Sequence, residues 1–232
     1  GQAMGNFDFS FLAGVWPFLL AGLSFSLELT AVGFVGGLTL GTCLALVRHL
    51  NIPIVASLAT GYITLLRSIP LIMVLFWFFF LMPLVLMWVV GAPRPVQIGP
   101  VWTAFVTFTL FEAAYYAEII RAGFKAIPKG QYAACKALGM STAQAYAHII
   151  LPQVLRAVSP ILLTQTIILF QDTSLVYVLS ITDLLGAASK IAQRDGKLVE
   201  MYLIVALTYL VVCSASSQLV TVLKNKYAAV RP

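Results

Sequence analysis

The sequence predicts an all-α integral membrane protein with about five transmembrane helices and one cytoplasmic helical loop. Apolar residues make up 61% of the 232 residues and charged residues only 9%, against roughly 45–50% and about 25% in soluble domains. Several apolar runs also reach the roughly 20 residues that a helix needs to cross a bilayer. A soluble fold could not bury this much apolar surface, so we expect a single transmembrane domain over residues 1–232.

Five membrane segments follow from the apolar runs. The first, 16–47, is rich in glycine, which lets neighbouring helices approach closely. Its glycines include Gly33, Gly36, Gly37 and Gly41. The second segment, 54–89, is too long for one simple crossing and is interrupted at Arg67-Ser68-Ile69-Pro70. The remaining segments are 101–120, 152–180 and 199–223.

The distribution of lysine and arginine predicts the orientation of these segments. One side of the membrane would carry nine cations: Arg48, Arg121, Lys125, Lys129, Lys136, Arg156, Lys224, Lys226 and Arg231. The other side would carry four: Arg94, Lys190, Arg194 and Lys197. Because cytoplasmic loops carry the excess of positive charge, the C-terminus and the 121–156 region are expected in the cytoplasm of a bacterial cell, beneath its inner membrane. The net charge of +6 then reflects this bias and not a nucleic-acid partner.

The loop at 128–151 is predicted to form two short helices joined at a glycine. Pro128 and Gly130 break the chain after the third segment, and Gln131 to Leu138 then favours a short helix that Gly139 ends. Ser141 followed by Gln144 is the pattern of a capping box, which starts a second helix.

The second of these helices is amphipathic. Ala143, Tyr146, Ile149 and Ile150 share one face at a spacing of 3.6 residues, and Pro152 suits the first turn of the membrane segment that follows. Such an element could rest on lipid headgroups as an interfacial helix, or it could dock on a partner protein. The pattern alone leaves both possibilities open.

This loop resembles the coupling loop in permeases of ATP-binding-cassette importers, whose pattern is E-A-A-x3-G-x9-I-x-L-P. The chain has Ala133-Ala134-Cys135, then Gly139 after three residues and Ile149-Ile150-Leu151-Pro152 after nine more. Ala133 and Cys135 depart from the pattern. In that family the loop docks on an ATPase subunit. The resemblance therefore implies these coupling residues: Ala133, Ala134, Lys136, Gly139, Ser141, Ala143, Tyr146, Ile149, Leu151 and Pro152.

Other stretches of the sequence indicate which subfamily of importer permeases the chain resembles. "AEIIRAGFKAIPKGQ" (117–131) and "QDTSLVYVLS" (171–180) resemble the polar amino acid subfamily, and "RSIPLIMVLFWF" (67–78), "FEAAYYAEIIRAG" (111–123) and "RDGKLVEM" (194–201) resemble glutamate/aspartate importer permeases most. The resemblance implies the type I importer fold and the import of polar L-amino acids. Glutamate and aspartate are the expected substrates, and glutamine or basic amino acids are the alternatives.

The expected partners follow from the same resemblance. The sequence has no G-x4-G-K-[ST] phosphate loop, so ATP is expected on separate ATPase subunits, two of them, and the chain itself needs no cofactor or metal. A second permease chain, identical or homologous, would complete the pathway. An extracytoplasmic solute-binding protein would deliver the substrate. The charged residues of the outer loop could form its docking site, or they could simply face solvent. These residues are Lys190, Arg194, Asp195 and Lys197.

Ionisable residues inside the predicted membrane segments are expected to have a structural or functional role, because inserting each one costs about 2.5–3.5 kcal/mol on insertion scales. Arg67 could hold a substrate carboxylate with two parallel hydrogen bonds, and Asp172 or Glu112 could take the ammonium group. The same groups could instead pair with one another and stabilise the bundle. Glu118 is expected to pair with Arg121, three residues further along the same helix. The candidate substrate-binding residues are Arg67, Ser68, Glu112, Gln171, Asp172, Thr173 and Ser174.

Two other functional classes are weaker interpretations of the sequence. An ion-driven secondary transporter predicts an inverted repeat and enough segments for both halves, and no internal symmetry is visible. A membrane enzyme predicts a catalytic or metal-binding constellation, but two histidines and three scattered cysteines show no such spacing. Glu28, in the first segment, receives no role.

Overall fold

A computed structural model describes residues 7–228, and within that range the chain is helical apart from turns and short loops. Along the chain the α-helices are α1 (Leu12–His49), α2 (Val55–Ser68), α3 (Leu71–Val90), α4 (Pro100–Ala126), α5 (Lys129–Ala137), α6 (Thr142–Ala145), α7 (Leu151–Asp172), α8 (Leu184–Asp195) and α9 (Leu198–Ala228). A π-helical turn at Tyr146–Ile150 joins α6 to α7, and a 3-10 helix at Thr173–Leu179 extends α7. Arg231, which contributed to the predicted orientation, lies outside the described residues.

Four helical stretches among the described residues are long and apolar enough to cross a membrane: Leu12–His49, Leu71–Val90, Thr142–Leu179 and Leu198–Lys226. The third predicted segment, 101–120, falls within α4, which is not one of these stretches. Helix α4 is the centre of the bundle and packs against α1, α2, α3 and α7. Because protein and not lipid covers much of its surface, α4 can carry Thr103, Thr107 and Glu112 as buried polar residues.

The predicted second segment, 54–89, is divided into two helices. Ile69 is extended (φ −114°, ψ 133°) and Pro70 immediately precedes α3. Proline disfavours the helical conformation in the residue before it and lacks an N–H for the helix ladder. The predicted interruption at 67–70 is therefore confirmed, with α2 ending at Ser68 and α3 beginning at Leu71.

Helix α1 is longer than the membrane is thick. Its 38 residues rise about 57 Å at 1.5 Å per residue, against a hydrocarbon core of about 30 Å. Glu28 lies 21 residues before His49, or about 31 Å along the helix, and its side chain is exposed. If His49 marks the cytoplasmic edge of the core, Glu28 lies at the opposite edge.

The glycines of α1 set its distance from α4. A Cβ atom at Gly41 would lie 2.9 Å from the Ala113 carbonyl oxygen, and one at Gly37 would lie 3.1 Å from Cβ of Glu112. Neither position has room for a side chain without movement of the two helices. The expected close approach at the glycines is thus confirmed, and it places Glu112 directly against α1.

Candidate functional site

Arg67, the predicted carboxylate ligand, is the penultimate residue of α2 and reaches toward α4. Its side chain is 46% exposed, and one guanidinium nitrogen lies 4.0 Å from Oε2 of Glu118. The guanidinium carbon lies 5.7 Å from the centre of the Tyr115 ring. Among the described residues no ion pair joins Arg67 to Asp172 or Glu112, so the pairing considered from the sequence is wrong. The reason is the position of Glu118, which presents a nearer carboxylate.

Glu118 is surrounded by arginines. The predicted partner Arg121 lies 3.8 Å from Oε2, which confirms that pair. Arg48, at the end of α1, donates a hydrogen bond to the other oxygen, Oε1. Helices α1, α2 and α4 therefore meet at one carboxylate.

Glu112 is fully buried. Its Oε2 atom accepts a hydrogen bond of 3.1 Å from the side-chain amide of Gln165 on α7. Its Oε1 atom has no hydrogen-bond partner among the described residues.

The polar run that ends α7 divides between two environments. Gln171 and Ser174 face an open groove of about 740 Å³ against α9, and Asp172 is partly buried. Thr173 is fully buried, and its hydroxyl donates to the Phe170 carbonyl at 2.5 Å. In α2, the exposed Ser68 hydroxyl likewise donates to the Thr64 carbonyl at 2.6 Å. Thr173 is thus buried away from the groove, and Ser68 already uses its hydroxyl donor within its own helix.

The α9 side of this groove was not predicted from the sequence. It is lined by Tyr209, Cys213, Ser214, Ser217 and Gln218. Polar residues within a membrane segment face the bundle interior or a water-filled cavity as a rule. The signal was present in the sequence as Ser214-Ala215-Ser216-Ser217-Gln218, in the middle of an otherwise apolar helix.

The coupling segment, residues 128–151, contains the predicted helix–glycine–helix. Ser141 and Gln144 form the capping box through reciprocal hydrogen bonds of 3.2 and 3.0 Å. Gly139 has φ +71°, a left-handed conformation that glycine adopts without strain. The first helix begins at Lys129 and ends at Ala137, so the predicted bounds of 131–138 are slightly displaced. Pro128 precedes it directly and is its N-cap.

The apolar face predicted for the second helix is partly wrong. Ala145 and Ile150 are buried, Tyr146 and Ile149 are partly buried, and Ala143 is exposed. The π-helical turn at 146–150 explains the difference, because its i to i+5 bonds shift the face relative to a regular 3.6-residue helix. The Leu151 N–H bonds to the Tyr146 carbonyl, just before Pro152, which has no N–H to donate.

An aromatic cluster attaches the coupling segment to the bundle. The His49 ring stacks on Phe124 at 4.5 Å between ring centres and 9° between planes. Its Nε2 atom is hydrogen-bonded to the Tyr146 hydroxyl at 2.9 Å. The Tyr132 hydroxyl donates to the Phe124 carbonyl at 2.9 Å. The ends of α1 and α4 are thereby joined to α5 and to the π-helical turn at 146–150.

Several predicted coupling residues line two shallow hollows at the surface of the coupling segment. One, of about 530 Å³, includes Ala133 and Lys136 in its lining. The other, of about 400 Å³, includes Ala143, Tyr146 and Leu151. Ala134, Gly139 and Ser141 are exposed on the same segment, and Ile149 and Pro152 are partly buried.

The predicted outer loop is largely a helix. α8 buries an apolar face against α1 and α9, a pattern that the spacing of Leu184, Ala187, Ala188 and Ile191 contains but that was not recognised in the sequence. Asp183 caps α8 by accepting hydrogen bonds from the N–H groups of Leu185 and Gly186, and burial raises the pKa of Asp183 to about 6.

The charged residues of this region project from α8 or from the turn after it. Arg194 binds its neighbour Asp195 through two hydrogen bonds of 2.8 and 2.9 Å, which hold the pKa of Asp195 below its usual value. Lys190 donates to the Thr182 hydroxyl. The polar face of α8 therefore points away from the bundle.

Comparison with known proteins identifies relatives along the whole chain. A family model described as "Binding-protein-dependent transport system inner membrane component" matches residues 37–228. The glutamate/aspartate import permease protein GltK of Escherichia coli O6:H1 is 47% identical over 225 residues, which cover 97% of this chain and 100% of GltK. The L-cystine transport system permease protein TcyL of Bacillus subtilis is 34% identical over 88% of this chain and 84% of TcyL.

A solved structure shares the arrangement of helices. One chain of an amino acid ABC transporter crystallised with histidines superimposes with a TM-score of 0.82 and 27% identity, covering 96% of this chain and 100% of that chain.

Proposed function

Because the chain belongs to the family of binding-protein-dependent transport system inner membrane components, we propose that it is the permease subunit of an ATP-driven importer of acidic L-amino acids. The observation that carries this proposal is its 47% identity to a glutamate/aspartate import permease over nearly the full length of both chains. The chain is a multi-pass inner-membrane protein with the fold of type I importer permeases. Homologous chains are transport permease subunits.

The charges of the bundle support an acidic substrate. Arg67 is half exposed at the break between α2 and α3, where its planar guanidinium can take a carboxylate bidentately. Glu112 on α4 and Asp172 at the end of α7 offer negative charge to an ammonium group. Non-helical backbone such as Ile69-Pro70 is tolerated at membrane depth where protein buries it or where it lines a cavity, so this break is a suitable place for a substrate pathway.

The family description names a binding-protein-dependent system and the similar solved structure is an ABC transporter, so the partners of the chain include, in general, a binding protein and an ATPase. We propose two ATPase subunits that bind all of the ATP, each docking on the coupling segment of one permease chain. The second permease chain, identical or homologous, would cover the polar groove between α7 and α9, because serine and glutamine side chains facing lipid would be costly. The bound solute would arrive from an extracytoplasmic binding protein at the polar face of α8.

The substrate site is tested by uptake of radiolabelled L-glutamate and L-glutamine in cells that carry Arg67→Ala, Arg67→Lys or Asp172→Asn. Arg67→Ala should abolish glutamate uptake while the complex still co-purifies. Arg67→Lys should restore it in part, since a point charge cannot reproduce bidentate geometry. Asp172→Asn should weaken uptake. Full uptake in all three assembled variants would remove these residues from the pathway.

The docking site is tested at Gly139. Gly139→Val forces a β-branched residue into a left-handed conformation, which costs on the order of 1–2 kcal/mol and should distort the coupling segment so that the ATPase no longer co-purifies. Gly130→Val is the matched control, because Gly130 lies within α5 and a Cβ there has open space. Normal co-purification and substrate-stimulated hydrolysis in the Gly139 variant would contradict the docking role.

A further inference from the structure

Three guanidinium groups converge on one carboxylate where α1, α2 and α4 meet. Arg48 donates a direct hydrogen bond to Oε1 of Glu118. Arg67 and Arg121 share Oε2, at 4.0 and 3.8 Å. Both distances lie within ion-pair range and beyond the 2.7–3.2 Å of a hydrogen bond.

The guanidinium groups of Arg67 and Arg121 have hydrogen-bond donors that Glu118 does not satisfy. Three positive charges face one negative charge, and within residues 7–228 neither Arg67 nor Arg121 has a hydrogen-bonded acceptor. The side chains of Arg67 and Arg121 are 46% and 34% exposed, whereas that of Arg48 is 11% exposed. Arg48 therefore fixes Glu118 in place, and the other two guanidiniums can be reached by a ligand.

A ligand that binds Arg67 and Arg121 should carry a carboxylate or a similar anion. A guanidinium binds such groups through two parallel hydrogen bonds, and two guanidiniums that already lie around one carboxylate oxygen are placed to receive a second one. Glu118 lies six residues, or about 9 Å, nearer the coupling segment than Glu112. An acidic amino acid held by Arg67, with its ammonium group toward Glu112 and Asp172, would therefore meet Arg121 and Glu118 next as it moves toward the cytoplasm.

We propose that Glu118 is the resident carboxylate of an exit-side anion site, and that the substrate carboxylate displaces it from Arg67 and Arg121 before release. This inference rests on the proposed acidic substrate. Exchange of one carboxylate for another preserves the charge pairing, so entry into the site is not blocked. The returning Glu118 carboxylate then displaces the substrate, which satisfies the general requirement that a site on a conduction path bind weakly enough to release.

The test measures equilibrium binding of radiolabelled L-glutamate to the purified complex in nanodiscs of phosphatidylethanolamine, for wild type, Glu118→Gln and Arg121→Gln. Glu118→Gln removes the competitor and should tighten binding about tenfold, while the maximal rate of uptake falls because release slows. Arg121→Gln removes one ligand of the substrate and should weaken binding about tenfold, the effect of one hydrogen bond to a charged group. Unchanged or weaker binding in an assembled Glu118→Gln complex would overturn the proposal.

Two controls keep the outcomes distinct. Should Glu118→Gln fail to assemble, Arg121→Gln decides: a loss of about tenfold in binding supports the site, and unchanged binding overturns it. Repeating the measurement with phosphatidylglycerol in the nanodiscs identifies an anionic lipid headgroup as the ligand if the variants differ from wild type there alone, which also overturns the proposal. A wild-type complex that takes up no acidic amino acid would instead refute the proposed function itself.

Discussion

At the scale of single residues, the bundle depends on pairings between polar groups that are distant in sequence. Arg48 and Glu118 are 70 residues apart, and Glu112 and Gln165 are 53 residues apart. The sequence indicated that Glu118 would pair with Arg121, because that pair lies within one helix. Arg48 could not be identified in this way, since its contact depends on how α1 crosses α4.

Gln165 provides a direct test of the buried carboxylate. Gln165→Ala removes the hydrogen bond to Oε2 of Glu112 and leaves both carboxylate oxygens without a protein partner. An unsatisfied buried acceptor costs about 1–3 kcal/mol, so the thermal unfolding temperature of the purified complex should fall. Thr164→Ala is the control, because Thr164 is exposed and its hydroxyl bonds within its own helix. Equal unfolding temperatures for the two variants would show that Gln165 does not support Glu112.

His49 tests the attachment of the coupling segment at the same scale. His49→Ala removes both the stack on Phe124 and the hydrogen bond to Tyr146. Residues 129–150 should then open more readily, which hydrogen–deuterium exchange detects as faster deuterium uptake in peptides from this segment. Cys43→Ala, at an exposed position of the same helix, should exchange like wild type. Unaltered exchange in the His49 variant would mean that other contacts hold the segment.

At the scale of helices, local patterns predicted the ends of elements better than their faces. The capping box at Ser141 and the end of the first short helix at Gly139 follow from short sequence patterns with local physical causes, and both are confirmed. The π-helical turn at 146–150 could not be anticipated, because a period of 3.6 residues was assumed there. Helix α8 was missed because the predicted membrane segments left 181–198 as a loop, although its apolar residues recur with helical spacing.

The glycines of α1 allow a prediction about helix packing. Gly41→Leu places a side chain against the Ala113 carbonyl and the Ala117 N–H, at 2.9 and 3.0 Å from the new Cβ. Overpacking of this kind typically costs 1–3 kcal/mol, so the purified complex should unfold at lower temperature and show reduced uptake. Gly14→Leu, where a Cβ meets nothing within 4 Å, should behave as wild type. Comparable unfolding of the two variants would indicate that α1 and α4 are not held at this distance in the membrane.

At the scale of the whole molecule, apolar composition determines the fold class, and the few polar residues indicate the function. The two polar features of α4, Glu112 and the Glu118 cluster, lie about 9 Å apart along the helix axis. The groove between α7 and α9 is lined by none of these charged residues, so one chain presents a charged centre and a separate polar surface. The sequence predicted the charged residues individually, but their division into an acidic region and a basic region required the fold.

The central claim, ATP-driven import of acidic amino acids through this chain, is tested most directly in proteoliposomes. The purified complex with its ATPase is supplied with ATP on the ATPase side and with loaded binding protein on the other, and accumulation of radiolabelled L-glutamate is measured. We expect accumulation that requires both ATP and the binding protein. Excess L-aspartate should suppress it, and excess L-glutamine should not. Accumulation driven by an ion gradient without ATP, or accumulation of glutamine in place of glutamate, would contradict it.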